Sequence, residues 1–287
     1  MENIIEFRGV GKRYRGFELK GVSFDVPRGY IMGLIGPNGA GKTTLMKMVM
    51  NLVRRDAGEI RVFGMDCARE EARVKARIGY VPDEPACHED MRLATIASAI
   101  APFYERWDRR RFLALAEEFE LPLGKKWRTL SQGMKTKFSL ALALCHEADL
   151  ILLDEPTSGL DPVFRRELLE RLSAIIQDER RSVLFSTHIT SDLERIADYI
   201  TFLRGGEIVF SAPKDEVLEQ WAVARGGEEL LDPGLRPLFR AIRRGPHGIE
   251  ALTANAAEAR RRLNSHTVIE RASLEDIMVL MEKGDER

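Results

Sequence analysis

Residues 36–43 constrain this chain more than any other segment, because they read Gly-Pro-Asn-Gly-Ala-Gly-Lys-Thr. This is a complete G-x-x-x-x-G-K-S/T phosphate-binding loop, set between an apolar run at residues 30–35 and a helix-like segment at residues 45–53. A phosphate chain needs several converging backbone N–H groups. A glycine-rich turn that ends at a helix N-terminus lets the main chain approach that closely. The sequence therefore predicts a strand, loop and helix that bind a nucleoside triphosphate.

Individual loop positions have distinct predicted roles. We expect Lys42 to neutralise the β- and γ-phosphate oxygens and the Thr43 hydroxyl to ligate Mg²⁺. The other predicted nucleotide-binding residues of the loop are Gly36, Asn38, Gly39, Gly41 and Thr44.

A pair of carboxylates follows a second apolar run, residues 150–153. A buried parallel strand there would present Asp154 and Glu155 at its carboxyl end, the edge of a sheet where phosphate chemistry takes place. We expect Asp154 to bind Mg²⁺ and Glu155 to orient and deprotonate the attacking water. The alternative is that Asp154 and Glu155 are two solvated acids at the end of a strand. The phosphate loop in the same chain argues against this alternative.

The pattern along the chain predicts an α/β fold. Short β-type runs with turns fill the first 80 residues and predict antiparallel strands beside the nucleotide loop. Helical periodicity takes over at residues 91–146, and β/α alternation returns at residue 150. We therefore predict a P-loop nucleotide-binding core at residues 1–212 that contains an antiparallel β subdomain and an inserted α-helical subdomain at about 85–148. A small accessory region follows at residues 213–287 and ends in a capping-box helix that begins near Ser273.

Composition limits the partners and the compartment. The 287 residues carry 44 Lys and Arg against 45 Asp and Glu, a net charge of −1, so nothing global attracts nucleic acid. Three widely spaced cysteines fit free thiols in a reducing compartment. No leader-like N-terminus or run of about 18 apolar residues is visible, so we expect a cytoplasmic chain that does not span a membrane.

A segment at residues 130–135, Leu-Ser-Gln-Gly-Met-Lys, precedes an apolar helix predicted to reach His146. Together with the carboxylate strand about twenty residues later, it resembles the signature motif of the ATP-binding-cassette family. Three further matches are a D-loop-like segment at residues 158–161, a switch-type histidine, His188, and an adenine-stacking aromatic, Tyr14. The resemblance covers residues 4–212 in order and spacing.

This resemblance implies ATP as the nucleotide and a head-to-tail dimer of ATP-binding subunits, either a homodimer or a heterodimer. The phosphate loop of one subunit would be completed by Ser131 and Gly133 of the other, and Asp161 of the D-loop-like segment would also bind the nucleotide. His188 would contact the γ-phosphate and position water with Glu155. The family further implies a transmembrane permease on a separate chain, an exporter in character, and a peripheral position on the inner face of the cell membrane.

The resemblance also implies where the permease docks. Its coupling helices would contact a groove around residues 83–92 and the helical block.

Taken one at a time, these residues have simpler interpretations. Ser131 alone is a helix N-cap, a lone His188 is more often structural, and Tyr14 favours half-buried strand positions. Three residues depart from the family pattern. Gln132 replaces a signature glycine, Lys135 lies at or near its terminal glutamine, and Asp83 stands where the family carries a Mg²⁺-binding glutamine. A carboxylate also ligates Mg²⁺, so Asp83 stays a predicted metal ligand.

Two other functions remain open from the sequence. One is a soluble cassette ATPase that acts on nucleic acid or ribosomes, although no heptad insertion or basic patch supports it. The other is a non-transporting module that senses ATP, against which the presence of both Glu155 and His188 argues.

Overall fold

The computed structural model describes residues 2–245, 248–264 and 266–284. The chain forms two compact units, one of residues 1–188 and 201–210, the other of residues 189–200 and 211–287.

A six-stranded sheet forms the centre of the first unit. In spatial order its strands are β10 (Glu207–Pro213), β9 (Tyr199–Arg204), β3 (Ile31–Ile35), β8 (Ser182–Thr187), β7 (Leu150–Asp154) and β6 (Ile78–Val81). The last four are parallel to one another. Every residue of β3, β7 and β8 is buried, which explains why these strands read as continuous apolar runs rather than as alternating patterns.

The first unit also contains a four-stranded antiparallel sheet. Its spatial order is β2 (Phe17–Pro27), β1 (Asn3–Tyr14), β4 (Ala57–Val62) and β5 (Met65–Asp66). Phe7 and Phe24 face each other across β1 and β2 with ring centroids 4.3 Å apart, a stacked cross-strand pair that stabilises the register. The predicted α/β fold with an antiparallel β subdomain is confirmed.

Helices connect the strands of the first unit and form the inserted block. They are α1 (Lys42–Val49), α2 (Glu71–Lys75), α3 (Leu93–Ile100), α4 (Arg109–Glu118), α5 (Gln132–Leu144) and α6 (Pro162–Ile175). In the block, Phe138 of α5 packs edge-on against Phe112 of α4 and against Trp127. Helix α5 ends at Leu144, two residues before the predicted end.

The second unit contains a sheet that the sequence did not predict. Its strands are β12 (Ala241–Gly245), β13 (Gly248–Thr253), β11 (Ala222–Gly226) and β14 (Val268–Arg271), all antiparallel. Its helices are α7 (Thr190–Ile196), α8 (Lys214–Gln220), α9 (Ala256–Arg262) and α10 (Leu274–Lys283). A small core includes Leu230, Phe239 and Ile249.

The predicted capping box at the start of α10 is present. The Ser273 hydroxyl accepts from the backbone N–H of Asp276, and the Asp276 carboxylate accepts from the backbone N–H of Ser273. The backbone N–H of Leu274 donates to Glu194 of α7 at 2.7 Å, so α10 is tied to another element of the same unit.

Candidate functional site

The phosphate loop connects β3 to α1, and close backbone contacts explain its glycines. A Cβ on Gly36 would lie 2.1 Å from the carbonyl oxygen of Leu203, a distance that no side chain tolerates. Gly41 is the N-cap of α1 and has a φ of 111°, where other residues are strained. Both glycines are therefore required by the loop conformation, which leaves the start of α1 open to an anion.

Lys42 lies inside this loop with only 5% of its surface exposed. Its ammonium donates to the carbonyl oxygens of Gly36 at 2.7 Å and Pro37 at 3.3 Å, and it lies 3.5 Å from a carboxylate oxygen of Glu155. A buried ammonium without such partners would be costly. The loop thus fixes a positive charge beside the Glu155 carboxylate.

Asp154 ends β7 and is fully buried. Its Oδ1 accepts from the Thr43 hydroxyl at 3.2 Å and from the Ser186 hydroxyl at 2.5 Å. Its Oδ2 is buried and, among the described residues, has no hydrogen-bond partner. Burial raises the pKa of this carboxyl, which the two hydroxyl donors only partly oppose.

A Mg²⁺ ion fits this arrangement. The orphaned Asp154 oxygen and the adjacent Thr43 hydroxyl are hard oxygen donors of the kind Mg²⁺ prefers, and it commonly takes one or two protein ligands plus phosphate oxygens. Within the parts of the chain that the structure describes, no group of three or more His, Cys, Asp or Glu side chains forms a metal cage. Nucleotide phosphates would therefore have to supply further ligands.

Glu155 is held from several sides. Its backbone has a φ of 49°, a left-handed conformation that costs about 1 kcal/mol or more and that often marks functional residues. Its N–H donates to the Ser186 carbonyl at 3.0 Å. Its Oε2 accepts from the His188 backbone N–H at 3.3 Å and lies 2.8 Å from His188 Nδ1. The structure thus fixes the orientation of this carboxylate and brings His188 to it.

A cavity of 370 Å³ unites most of the predicted site. It is lined by Phe17, Asn38, Gly39, Ala40, Gly41, Lys42, Thr43, Thr44, Asp83 and Glu155. Residues from four separate segments of the sequence meet here. Gly36 and Asp154 lie behind the cavity, bonded to Lys42 and Thr43 respectively.

Phe17 is a cavity residue that sequence reasoning missed. A Cβ on Gly41 would lie 2.9 Å from its ring, so Phe17 packs directly on the phosphate loop. Tyr14, the predicted adenine-stacking residue, is 42% exposed, with its ring centroid 6.5 Å from that of Phe17. The only available signal was an aromatic three residues after Tyr14, immediately after the turn that ends β1.

Two of the residues that depart from the family pattern, Gln132 and Asp83, contact each other. Gln132 Nε2 donates to the backbone carbonyl of Asp83 at 3.4 Å, a long hydrogen bond. Burial raises the pKa of the Asp83 carboxyl, and the negative charges of Asp154 and Glu155 raise it further. Asp83 therefore lies within the electrostatic field of the carboxylates of Asp154 and Glu155.

The remaining predicted residues lie apart from the cavity. Ser131 caps α5 by accepting from the Met134 N–H at 3.3 Å, and Asp161 caps α6 by accepting from the Phe164 N–H at 2.9 Å. A Cβ on Gly133 would lie 3.4 Å from the carbonyl oxygen of Gly159. The signature segment and the D-loop-like segment are thus neighbours, and neither lines the phosphate-loop cavity of its own chain.

Comparison with known proteins agrees with this geometry. A family model described as ABC transporter matches residues 19–158. The ABC transporter ATP-binding protein YtrB of Bacillus subtilis is 32% identical over 219 residues, which cover 76% of this chain and 75% of that protein. The chain belongs to the ABC transporter ATP-binding family. This ABC ATPase binds ATP and hydrolyses it as a transporter subunit.

Other relatives and solved structures support the same assignment. The daunorubicin resistance ATP-binding protein DrrA3 of Streptomyces coeruleorubidus is 33% identical over 241 residues, covering 82% of this chain and 74% of that protein. A solved ATP-binding subunit of an ABC transporter superposes with a TM-score of 0.70 at 30% identity, covering 76% of this chain and 92% of that one.

These comparisons do not favour the alternative of an ATPase acting on nucleic acid or ribosomes, nor that of an ATP sensor. Among the described residues, no helix has the length and apolar character needed to cross a membrane.

Proposed function

We propose that this ABC ATPase works as a head-to-tail dimer, with ATP and Mg²⁺ bound between the phosphate loop of one subunit and the signature segment of the other. The main support for this proposal is that two groups of predicted site residues lie apart within one chain. Lys42 and Glu155 share the phosphate-loop cavity, whereas Ser131 and Gly133 lie outside it at the start of α5. A hydroxyl and a helix N-terminus suit an anion, so they are best used on the partner's γ-phosphate.

Each residue of the loop half-site has a proposed role. Lys42 binds the β- and γ-phosphates, while Thr43, Asp154 and Asp83 ligate Mg²⁺, which would polarise the phosphate oxygens. Glu155 takes the proton of the attacking water, and His188 orients the Glu155 carboxylate and that water. The predicted contacts of Tyr14 with adenine and of Asp161 with the nucleotide complete the proposal.

The dimer drives a permease on a separate chain, and an apolar groove in the first unit suits such a partner. The groove has a volume of 660 Å³ and is lined by Met50, Glu71, Ala72, Lys75, Ala76, Ile100, Phe103 and Tyr104. Phe103 is 77% exposed, an unusual state for so large an apolar side chain. This location differs from the region around residues 83–92 that the sequence suggested, although it also borders the helical block.

A cell-fractionation experiment tests the permease partner. In cells that carry the native protein, a tagged wild-type chain should sediment with membranes. Phe103→Glu should move to the supernatant while its ATPase activity stays unchanged. Leu113→Glu introduces the same charge at another exposed apolar side chain, on α4 outside the groove, and should stay with the membranes. If Phe103→Glu sediments like the wild type, the groove is not the docking site.

The direction of transport is proposed as export. Relatives include a daunorubicin resistance protein and a Nod factor export protein of Burkholderia orbicola, which is 32% identical over 231 residues covering 75% of this chain and 72% of that protein. A peripheral position on the inner face of the membrane follows from a permease partner and a cytoplasmic ATP supply.

A further inference from the structure

A second charged cavity lies at the opposite edge of the central sheet from the phosphate loop. We call it the arginine cleft. It has a volume of 340 Å³ and is lined by Arg28, Arg77, Arg106, Glu147, Asp149, Asp178, Arg180 and Arg181. Several of these residues immediately precede β3, β6, β7 and β8, whereas the phosphate loop follows the carboxyl end of β3. The cleft therefore has no part in the ATP site.

The charges of the arginine cleft do not balance. Five guanidinium groups face three carboxylates, an excess of two positive charges among the lining residues. Arg28 also pairs with Glu2 at 3.3 Å and Glu147 with Arg111 at 3.7 Å, which adds one charge of each sign and leaves the excess at two. Arg77 and Arg106 both bind Asp149, at 2.6 and 3.0 Å, and Arg180 binds Asp178 at 2.8 Å. These bonds use most of the available carboxylate oxygens.

Arg28 and Arg181 are incompletely paired within the described part of the chain. The side chain of Arg181 is only 16% exposed, yet its nearest carboxylate oxygens, on Asp178 and Glu147, are 3.6 and 3.8 Å away, too far for hydrogen bonds. Arg28 Nε is buried and has no hydrogen-bond partner within the described part of the chain. Buried donors in folded proteins are almost always paired, so Arg28 Nε indicates a missing acceptor, and the weakly paired Arg181 lines the same cleft.

We propose that the arginine cleft binds a phosphate group. A phosphate dianion matches the excess of two positive charges and offers several acceptor oxygens to the planar guanidinium forks. Two sources carry this chemistry: inorganic phosphate, which ATP hydrolysis releases, and the phosphomonoester headgroup of an anionic lipid. The proposal rests on the cleft alone and is independent of the proposed dimer and permease.

Calorimetric titration with inorganic phosphate tests the proposal. The protein is first saturated with Mg²⁺ and a non-hydrolysable ATP analogue, which occupy the phosphate loop. We expect one phosphate per chain. Arg181→Gln and Arg28→Gln should each weaken its binding by about tenfold or more, the scale of one lost charge-assisted hydrogen bond. Arg61→Gln removes an exposed arginine of β4 that pairs with Glu59, and should leave the affinity unchanged.

An opposite change distinguishes binding from general damage. Glu147→Gln removes a carboxylate of the cleft and should tighten phosphate binding several-fold, which a destabilised protein would not do. If Arg181→Gln fails to fold, the other two variants still test the proposal. Arg28→Gln should weaken phosphate binding and Glu147→Gln should tighten it. Equal affinity in Arg28→Gln, Glu147→Gln and the wild type would overturn the proposal.

Vesicle sedimentation separates the two sources. Binding to phosphatidic acid but not to phosphatidylcholine vesicles, lost in Arg28→Gln and competed by phosphate, assigns the headgroup. Phosphate binding in the titration without vesicle binding assigns the free anion. The absence of both kinds of binding contradicts the proposal.

Discussion

At the scale of single residues, the site combines strain with tight restraint. Glu155 occupies a left-handed backbone conformation, its side chain is only 9% exposed, and its two oxygens face Lys42 and His188. A carboxylate so oriented loses little freedom when it accepts a proton from water, which is what a general base requires.

Glu155→Gln should therefore retain ATP binding and lose hydrolysis by roughly 10²–10⁴-fold, the usual contribution of a general base. Lys42→Ala should instead weaken ATP binding, because it removes the charge that we propose contacts the phosphates. Equilibrium binding of a fluorescent ATP analogue and a phosphate-release assay separate the two effects. Normal hydrolysis by the Glu155 variant would show that another group activates the water.

Asp83 offers a second residue-level prediction. If its carboxylate ligates Mg²⁺, Asp83→Gln should weaken Mg²⁺ affinity modestly and preserve most of the hydrolysis rate, because the amide keeps one oxygen ligand. Asp83→Ala should cost more, since water alone replaces the ligand. Hydrolysis measured against Mg²⁺ concentration at saturating ATP gives both the apparent Mg²⁺ affinity and the maximal hydrolysis rate. Identical Mg²⁺ curves for all three proteins would place Asp83 outside the metal's ligands.

At the scale of elements, a buried histidine connects α5 with β6. His146 is 2% exposed, and its ring nitrogens lie 2.9 Å from the Leu142 carbonyl oxygen and 3.2 Å from that of Ile78. The ring stacks on Tyr104 at 3.9 Å. Burial lowers the pKa of His146 below 6.5, although the two carbonyls favour the protonated form. Arg111 and Arg181 lower it further.

This shift predicts a pH dependence of stability. Because the folded state binds the proton on His146 more weakly than the unfolded state, the neutral ring stabilises the fold above pH 6.5, and this contribution declines as the pH falls below that value. His146→Gln should flatten the slope of unfolding free energy against pH in that range. His88→Gln, a change at an exposed histidine, should keep the slope. Equal slopes in His146→Gln and wild type would contradict the assignment.

Local signals predicted the nucleotide half-site and missed the parts made by distant contacts. The phosphate loop, the Asp154 strand and the Ser273 capping box each lie within a few consecutive residues, so spacing alone reveals them. Strands such as Ala241–Gly245 and Val268–Arg271 are short and carry charged residues, so they lack the apolar pattern of a strand. The nearby glycines and prolines suggest loops instead. The arginine cleft could not be read either, because its residues are far apart in the sequence.

At the scale of the whole molecule, the proposed function requires one chain to carry two incomplete halves of an ATP site. The loop half contains Lys42 and Glu155, and the signature half contains Ser131 and Gly133 at the N-terminus of α5. The central claim is that these halves are joined between two chains, so each dimer holds two composite sites.

The most direct test mixes two inactive proteins, Lys42→Ala and Ser131→Arg, after subunit exchange has been demonstrated with differently labelled chains. In a mixed head-to-tail dimer, one site carries both lesions and the other carries neither. Random pairing should therefore restore about one quarter of the wild-type ATPase rate, if the sites act independently. Activity that stays at the level of the two single variants, despite exchange, would contradict the shared site.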